Sequence, residues 1–229
     1  MRLAVLTIFP QMFTEVFDFG IMRVSRDQGK VHLETVDLRE FAHGRHRSVD
    51  DRPYGGGPGM VLKPGPIFEA VEAVEQRWGE RARRVLLTPQ GTPFRQDAAR
   101  RLAQETALIL LCGRYEGVDQ RIVDHLVDEE ISVGDFVASG GEIPAMLVAD
   151  AVVRLLPGVA GNPASVVNES FHEGLLDYPQ YTRPAQFRSW TVPEVLISGN
   201  HADIERWRAE QARVRTRQNR PDLLQQGSG

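Results

Sequence analysis

The clearest hydrophobic pattern in the chain is the unbroken apolar run at residues 107–112, which ends at Gly113. A strand that is covered on both faces shows no polar alternation, so this run predicts a buried strand. Residues 118–126 then place apolar side chains on one face of a helix, and a short strand near Ile131 leads to an apolar helix at residues 143–156. This repetition of strand, turn and helix predicts an α/β fold with a parallel sheet.

Shorter patterns predict further strands at residues 2–8 and 84–88, and a half-buried strand with polar alternation at residues 31–37. Glycine-bearing turns follow three of the predicted strands. Because the carboxyl ends of parallel strands meet at one edge of a sheet, we expect these turns to converge there and form a small-molecule cleft. The turns are TPQG at 88–91, GRYEG at 113–117 and the segment at 132–141.

One long stretch, residues 42–66, shows no periodicity and is rich in arginine, glycine and proline. A segment of this length inside a compact domain is uncommon unless it works as a binding loop or lid. Tyr54 and Met60 are the apolar side chains expected to anchor it. A disordered surface excursion is the alternative, but the two anchors favour a loop that takes part in binding.

A second change of composition follows Leu156, where glycine, proline and asparagine become frequent. This shift predicts an interdomain linker at residues 157–173. The chain is accordingly expected to consist of a domain at residues 1–156 and a smaller helical domain at residues 174–229. The last helix of the smaller domain is predicted near residues 201–219.

Composition limits the class of protein. No apolar run approaches the roughly 18 residues that span a bilayer, and the amino-terminal sequence lacks the cleavage pattern of a signal peptide, so we expect a cytoplasmic location. Cys112, the single cysteine, lies in an apolar run and is expected to be a buried small hydrophobe.

Charge is distributed unevenly along the chain. The formal net charge is -4, yet arginine and histidine cluster at residues 39–52, and residues 206–220 carry six arginines against one acid. A charge run on a helix is often only a solvated face. Two separate basic clusters on an acidic chain favour a polyanionic partner.

The motifs of common enzyme classes are missing, since the sequence has no Walker loop, GxSxG, CxxC or HExxH. Glu116, Asp135 and Glu142 lie beside the glycine turns, where a carboxylate either faces a cationic ligand or is a surface acid. Arg154 belongs to the predicted apolar helix at residues 143–156, so it either reaches solvent or serves a site. The residues alone leave the reaction open.

Six long motifs show a specific resemblance. The chain resembles, along nearly its whole length, the bacterial tRNA (guanine-N1)-methyltransferases of the SPOUT superfamily. The motifs are DDRPYGGGPGM at 50–60, TPQG at 88–91, LCGRYEGVD at 111–119, ISVGDFVASGGEIPAM at 131–146, EGLLDYPQYTRP at 173–184 and SGNHADIERWR at 198–208.

The resemblance implies an enzyme that moves a methyl group from S-adenosylmethionine to N1 of the guanine immediately 3′ of the tRNA anticodon, position 37. It also implies a SPOUT-type fold: a mainly parallel sheet domain with a deep trefoil knot, a smaller helical carboxyl-terminal domain, and a homodimer whose active sites lie at the subunit interface. By the same resemblance, the glycine turns hold the methyl donor. The implied donor-binding residues are Leu87, Thr88, Pro89, Gly113, Tyr115, Glu116, Gly117, Ser132, Val133, Gly134, Asp135, Phe136, Val137, Ala138, Gly140, Gly141 and Pro144.

Guanine N1 carries a proton that has to leave before or during methyl transfer, so a general base is needed. The base of the family is an aspartate in a motif that ends in DSF. The matching triplet here begins at Glu169, a glutamate whose carboxylate has one more methylene in its stem. Arg154 matches the arginine that we expect to stabilise negative charge on guanine O6.

Contacts with tRNA and with a metal ion follow from the resemblance in less detail. A divalent ion such as magnesium is expected from the family, but the sequence shows no ligand cluster to which it can be assigned. The residues expected to contact tRNA are Arg45, Arg47, Asp50, Arg52, Tyr54, Pro58, Gly59, Arg183, His201, Arg208 and Arg215.

Two alternative functions remain at this point. A ribose 2′-O-methyltransferase of the same superfamily would not need Glu169 as a base for a ring nitrogen. A non-catalytic RNA-binding module would use the glycine turns only as tight packing corners. Binding of S-adenosylmethionine and analysis of the methylated nucleoside distinguish these functions.

Overall fold

A computed structural model describes residues 1–159, 169–171 and 174–225 of the chain. The chain divides into two compact units, Met1–Gly161 and Asn162–Gly229. The linker predicted at residues 157–173 falls largely outside the described residues. None of the helices in the described part of the chain is both long and apolar enough to cross a membrane.

The first unit is built on a five-stranded sheet with the spatial order β2-β1-β6-β5-β7, in which every neighbouring pair is parallel. The predicted α/β fold with a mainly parallel sheet is therefore confirmed. The sheet strands are β1 (Arg2–Thr7), β2 (His32–Asp37), β5 (Arg83–Pro93), β6 (Ala107–Cys112) and β7 (Glu129–Ser132). Two short strands, β3 (Asp50–Asp51) and β4 (Val61–Leu62), pair with each other in an antiparallel hairpin.

Helices cover both faces of the sheet. The α-helices of this unit are α1 (Thr14–Asp18), α2 (Gly20–Asp27), α3 (Pro64–Trp78), α4 (Gln96–Leu102), α5 (Gln120–His125) and α6 (Glu142–Val153), and 3-10 helices occupy Pro10–Phe13 and Leu38–Phe41. Leu108 and Leu110 of β6 pack in one apolar core with α2, α4 and α6, while Ile109 and Leu111 pack in a second core with α3 and α5. Burying one such side chain contributes about 1.5–3 kcal/mol. This two-sided burial explains the lack of polar alternation at residues 107–112.

The strand predicted at residues 84–88 is longer than its pattern indicated. β5 continues to Pro93, and its pairing with β7 shifts between Leu87 and Thr92, so that TPQG is a bulge inside the strand and not a turn after it. Pairing resumes because Gly91 lies against the backbone of Ile131 and the Thr92 hydroxyl donates to the Glu130 carbonyl at 3.1 Å. A Cβ at position 91 would collide with that backbone.

The segment predicted as a loop at residues 42–66 contains the hairpin of β3 and β4, and helix α3 already begins at Pro64. Its strands are two residues long, which is too short for any periodicity to appear. The prediction that Tyr54 anchors this segment is wrong, since its side chain is fully exposed. Val49 and Leu62 are the buried side chains that hold the hairpin instead.

The described residues of the second unit form a small hairpin and three α-helices. The predicted final helix is confirmed at His201–Asn219, where the Asn200 side chain accepts hydrogen bonds from the amides of Ala202 and Asp203. Inside the unit, the buried Thr216 hydroxyl accepts from the Leu176 amide at 2.9 Å. The elements are β8 (Gln186–Phe187), β9 (Trp190–Thr191), α7 (Glu194–Ile197), α8 (His201–Asn219) and α9 (Pro221–Gln225).

Candidate functional site

A cavity of about 460 Å³ lies at the carboxyl ends of β6 and β7 and beside the bulge of β5. The structure therefore brings together the three glycine-bearing segments that the sequence placed at one edge of the sheet. Every residue expected to bind the donor lines this cavity except Asp135. The lining residues from that prediction are Leu87, Thr88, Pro89, Gly113, Tyr115, Glu116, Gly117, Ser132, Val133, Gly134, Phe136, Val137, Ala138, Gly140, Gly141 and Pro144.

Close backbone contact explains why glycine occupies one of these corners. The Gly141 amide donates to the Gly113 carbonyl at 2.8 Å, and a Cβ at position 141 would lie only 2.7 Å from the Cα of Cys112. Gly140 pairs with Arg114 in an isolated antiparallel bridge. The segment after β7 thus contacts the segment after β6, although β5 lies between the two strands in the sheet.

A buried charge network fixes the same two segments. The Glu142 carboxylate, only 1% exposed, accepts from the Thr7 hydroxyl and from the Arg114 guanidinium, each at 2.8 Å. The guanidinium also donates to the Ser139 carbonyl at 3.1 Å and stacks over the Phe9 ring at 4.7 Å. A buried carboxylate is costly unless it is paired and hydrogen-bonded, and both conditions are met here. Glu142 therefore does not face a ligand; it joins β1 to the floor of the cleft.

The segment at residues 42–66, which contains the hairpin of β3 and β4, contacts the rim of the cavity at Glu116. The Glu116 amide donates to the Met60 carbonyl at 3.0 Å, and a Cβ at Gly59 would lie 2.8 Å from the Glu116 Cδ. The adjacent Tyr115 has a positive φ of 59°, which is unusual for a bulky side chain and is typical of functional sites. Part of the segment expected to contact tRNA therefore lies beside the segment expected to hold the donor.

The other predicted tRNA contacts are spread over both units. In the first unit, the amide of Arg52 and the nearby Lys63 ammonium hold the pKa of Asp51 below its usual value. The predicted tRNA contacts in the first unit are Arg45, Arg47, Arg52, Tyr54, Pro58 and Gly59, which are exposed, and Asp50, which is half-buried. In the second unit Arg183, His201 and Arg215 are exposed.

Arg208 differs from these exposed residues. Its guanidinium forms an ion pair with Glu205 at 2.8 Å and stacks over the Tyr178 ring at 4.8 Å. Its side chain is therefore partly engaged within the second unit, and its predicted contact with tRNA stays a prediction.

Neither predicted catalytic residue lines the cavity. Arg154 directly follows α6, whose first turn adjoins the cavity; twelve helical residues span about 18 Å, so Arg154 lies at the far end of that helix. Glu169 belongs to the second unit and is half-buried there. Its neighbours are fixed within that unit, since the Ser170 hydroxyl accepts from the Asp177 amide at 3.0 Å and the Phe171 amide donates to the Leu175 carbonyl at 2.7 Å.

Cys112 is buried beneath the cavity, as the sequence predicted. Burial, together with the charge of the nearby Glu142, raises the pKa of its thiol well above the usual value, so the thiolate nucleophile is disfavoured. Within the described ranges, no group of three or more histidine, cysteine, aspartate or glutamate side chains is arranged to hold a metal ion.

Fold and cavity define the class: an α/β protein with a mainly parallel sheet and a glycine-lined cleft of small-molecule size at its carboxyl edge. The family model described as tRNA (Guanine-1)-methyltransferase TrmD matches residues 1–226. A protein of Shouchella clausii named tRNA (guanine-N(1)-)-methyltransferase is 55% identical over 224 residues, covering 98% of this chain and 91% of its own. Proteins of the same name from Geobacillus kaustophilus (98% and 91% covered) and Staphylococcus epidermidis (99% and 91% covered) are 53% and 49% identical.

The chain belongs to the tRNA (guanine-1)-methyltransferase TrmD family. The prediction of a tRNA guanine-N1 methyltransferase is confirmed at that level. The family implies S-adenosylmethionine as the methyl donor.

Proposed function

We propose that this enzyme methylates N1 of the guanine immediately 3′ of the tRNA anticodon, position 37, and that the glycine-lined cavity binds S-adenosylmethionine. The observation that carries the donor assignment is the convergence of the bulge of β5 and the segments after β6 and β7 on one cavity. The target nucleotide rests on the resemblance of the six motifs. A cytoplasmic location fits a tRNA substrate.

The residues of the cavity fit such a donor. A volume of about 460 Å³ lies within the usual range of small-molecule sites, roughly 300–1,000 Å³. Backbone groups at the glycine corners offer hydrogen bonds to a base and a ribose, while the Glu116 and Glu130 carboxylates in the lining favour a positive charge. When bound, S-adenosylmethionine supplies a methyl group attached to a positively charged sulfur.

Glu169 and Arg154, which lie outside the cavity, are the residues proposed to remove the proton of guanine N1 and to stabilise the resulting charge. Glu169 accepts the proton of guanine N1, and its carboxylate performs the role of the aspartate in the related motif. The Arg154 guanidinium stabilises the negative charge that gathers on guanine O6 as that proton leaves.

A homodimer is proposed because Arg154 lies about 18 Å along α6 from the cavity of its own chain. In this arrangement each cleft binds the donor on one subunit and receives Arg154 and Glu169 from the other. Exposed apolar side chains support such an interface, since contiguous apolar surface marks association sites. These side chains are Ile143 and Leu147 on α6, with Phe136 and Val137 at the rim of the cavity.

A trefoil knot in the first domain is also proposed. It is supported by the contact between the segments after β6 and β7, two strands that β5 separates in the sheet. The proposed domains are a donor-binding domain at residues 1–156, a linker at residues 157–173 and a tRNA-binding domain at residues 174–229. No metal site is assigned to the described residues, and a divalent ion such as magnesium stays an expectation from the family.

Methylation of unmodified tRNA transcripts tests the proposal. A transcript with guanine after the anticodon is expected to accept a methyl group, and a matched transcript with adenine there is not. Mass spectrometry of the digested product is expected to show 1-methylguanosine. A ribose-methylated nucleoside would identify the alternative 2′-O-methyltransferase, and the absence of any heat on titration with S-adenosylmethionine would leave only an RNA-binding module.

A further inference from the structure

An exposed aromatic hairpin lies in the second unit, outside all the residues assigned so far. Phe187 and Trp190 face each other across β8 and β9, with ring centroids 6.2 Å apart and planes tilted by 32°. Their side chains are 57% and 62% exposed. Arg188, at the turn, stacks over both rings at 5.3 and 5.9 Å. We call this group the aromatic hairpin.

At the turn of the aromatic hairpin, the backbone of Arg188 has an energetically unfavourable conformation. Arg188 has a φ of +57°, a region in which glycine or asparagine is the usual choice. The Gln186 side-chain amide donates to the Arg188 carbonyl at 3.1 Å and fixes the tip. Backbone strain of this kind clusters at ligand-binding sites, so the turn is a candidate for one.

The charge of the aromatic hairpin is not neutralised. Residues 181–193 contain two arginines and no acid. Arg188 has no carboxylate of the described residues within ion-pair distance. The group thus presents two exposed aromatic rings and, stacked beside them, a planar cation without a carboxylate partner among the described residues, the combination with which proteins stack unpaired RNA bases next to a phosphate.

We propose that the aromatic hairpin is a stacking site for an unpaired base of the tRNA substrate, with Arg188 bound to the adjoining backbone. The inference rests on the proposed tRNA-binding role of the second unit. It adds a site that positions the RNA away from the reacting guanine. Stacking of a single base on an aromatic side chain tolerates any sequence, so the site contributes affinity and not base specificity.

Titration of the full-length enzyme with an unmodified tRNA transcript tests the proposal. Trp190→Leu is expected to weaken binding roughly tenfold, whereas Trp190→Phe, which keeps a stacking surface, stays within about twofold of the parent. Arg188→Lys keeps the charge and the aromatic pair but loses the planar guanidinium, so it is expected to fall between these values. Calorimetry with S-adenosylmethionine is expected to give the same affinity for all three variants. Ile197→Ala is the matched control, because Ile197 is 63% exposed in the same unit.

A spectroscopic test separates stacking from a purely structural role, since a cross-strand aromatic pair also stabilises a hairpin. In protein carrying Trp78→Phe and Trp207→Phe, Trp190 is the remaining tryptophan. Its emission is expected to fall on addition of the transcript and to stay unchanged with a fully paired RNA duplex of equal length.

Three results would overturn the proposal: unchanged tRNA affinity of Trp190→Leu, an equal loss in Ile197→Ala, or no quenching of Trp190. If Trp190→Leu instead alters the elution volume of the protein while tRNA affinity is unchanged, the hairpin contacts protein and not RNA. Arg215→Ala separates this inference from the proposed function. If that variant weakens tRNA binding and Trp190→Leu does not, the hairpin assignment alone fails; if neither does, the tRNA-binding role of the second unit fails as well.

Discussion

The two edges of the parallel sheet differ in the chemical groups that form them. At the amino edge, where β5 and β7 begin, arginines and carboxylates satisfy one another. Arg84 and Glu75 pair at 2.6 Å with both side chains largely buried, and Glu129 pairs with Arg83 and Arg101. At the carboxyl edge, glycine corners and backbone groups surround a cavity instead.

If the cavity binds the donor as proposed, one sheet separates the groups that stabilise the fold from the groups that bind a ligand. Charged groups that already pair with each other have fewer hydrogen-bonding positions left for a ligand than backbone groups at open corners have. The ion pair at the carboxyl edge, Arg114 with Glu142, points beneath the cavity and supports its floor. Substitutions at the two edges are therefore expected to affect different measurements: donor binding at one edge and unfolding at the other.

The largest effect is expected from a residue outside both edges. Glu169→Gln removes the proposed base and keeps the shape of the side chain, so turnover is expected to fall roughly 100- to 10,000-fold while donor affinity is retained. Single-turnover methylation of tRNA and calorimetry with S-adenosylmethionine provide the two measurements. Glu169→Asp, which shortens the stem, is the matched variant and is expected to keep substantial activity. Near-normal turnover of Glu169→Gln across pH would identify another group as the base.

A slightly smaller effect is expected from Arg154→Ala, which removes the group proposed to stabilise negative charge on guanine O6. Removing one group that stabilises developing charge typically lowers turnover roughly 100- to 1,000-fold. Donor affinity is expected to stay unchanged, because Arg154 lies outside the cavity of its own chain. Arg23→Ala, at an exposed position of α2, is the control in the same assay. Parental turnover of Arg154→Ala contradicts the catalytic assignment.

Gly141→Ala changes the carboxyl edge itself. The added Cβ would lie 2.7 Å from the Cα of Cys112 and 2.9 Å from the Gly113 amide nitrogen, so backbone has to move and donor affinity is expected to fall roughly tenfold or more. Calorimetry measures the affinity, and circular dichroism confirms folding. Gly65→Ala, in α3 with open space around it, is the matched control. An unchanged donor affinity in Gly141→Ala would show that the corner does not hold the donor.

Gly141→Ala also provides a test of the proposed dimer. Mixed subunits carrying either Gly141→Ala or Arg154→Ala are expected to recover about a quarter of parental activity, since random pairing gives one intact cleft in about half of the dimers. The assay uses a donor concentration at which the clefts of Gly141→Ala stay largely empty, so that each variant alone is expected to remain well below a quarter of parental activity. No recovery after mixing would mean that each cleft uses residues of one chain only.

The sequence predicted the carboxyl edge better than the rest of the site. Continuous apolar residues revealed β6, and the parallel topology then placed the glycine turns together. The sequence did not reveal that the Glu142 side chain points away from the cleft toward Thr7. These two residues are 135 positions apart in the chain, so their pairing exists only after folding. The hairpin of β3 and β4 escaped prediction for a different reason: its two-residue strands cover a single period of the β pattern, so no repetition is visible.

The ion pair of Glu142 with Arg114 is expected to affect both stability and donor binding, because it belongs to the carboxyl edge but is buried like a core residue. Glu142→Gln keeps a hydrogen bond to Thr7 and loses the charge opposite Arg114, so the protein is expected to lose about 1–3 kcal/mol of unfolding free energy. Donor affinity is expected to fall as well, because Arg114 then no longer fixes the Ser139 carbonyl. Urea unfolding and calorimetry measure the two effects. Glu72→Gln, exposed on α3, is expected to change neither.

The smallest effect is expected at the amino edge and depends on pH. Burial works against ionisation of Glu75, Asp128 and Glu129, but hydrogen bonds from Arg84, Arg81 and Arg101 outweigh it and hold the pKa of each carboxyl below its usual value. Because these pKa values are lower in the folded chain, the pairs stabilise it above the ordinary values of 4.5 and 3.8, and this stabilisation is lost as the pH falls through the folded values. The urea midpoint is therefore expected to fall between pH 6 and acidic pH, and Glu75→Gln is expected to lessen that fall. A midpoint that does not change with acid would show that the paired edge contributes no net stability, and the separation between a stabilising and a binding edge would then be wrong.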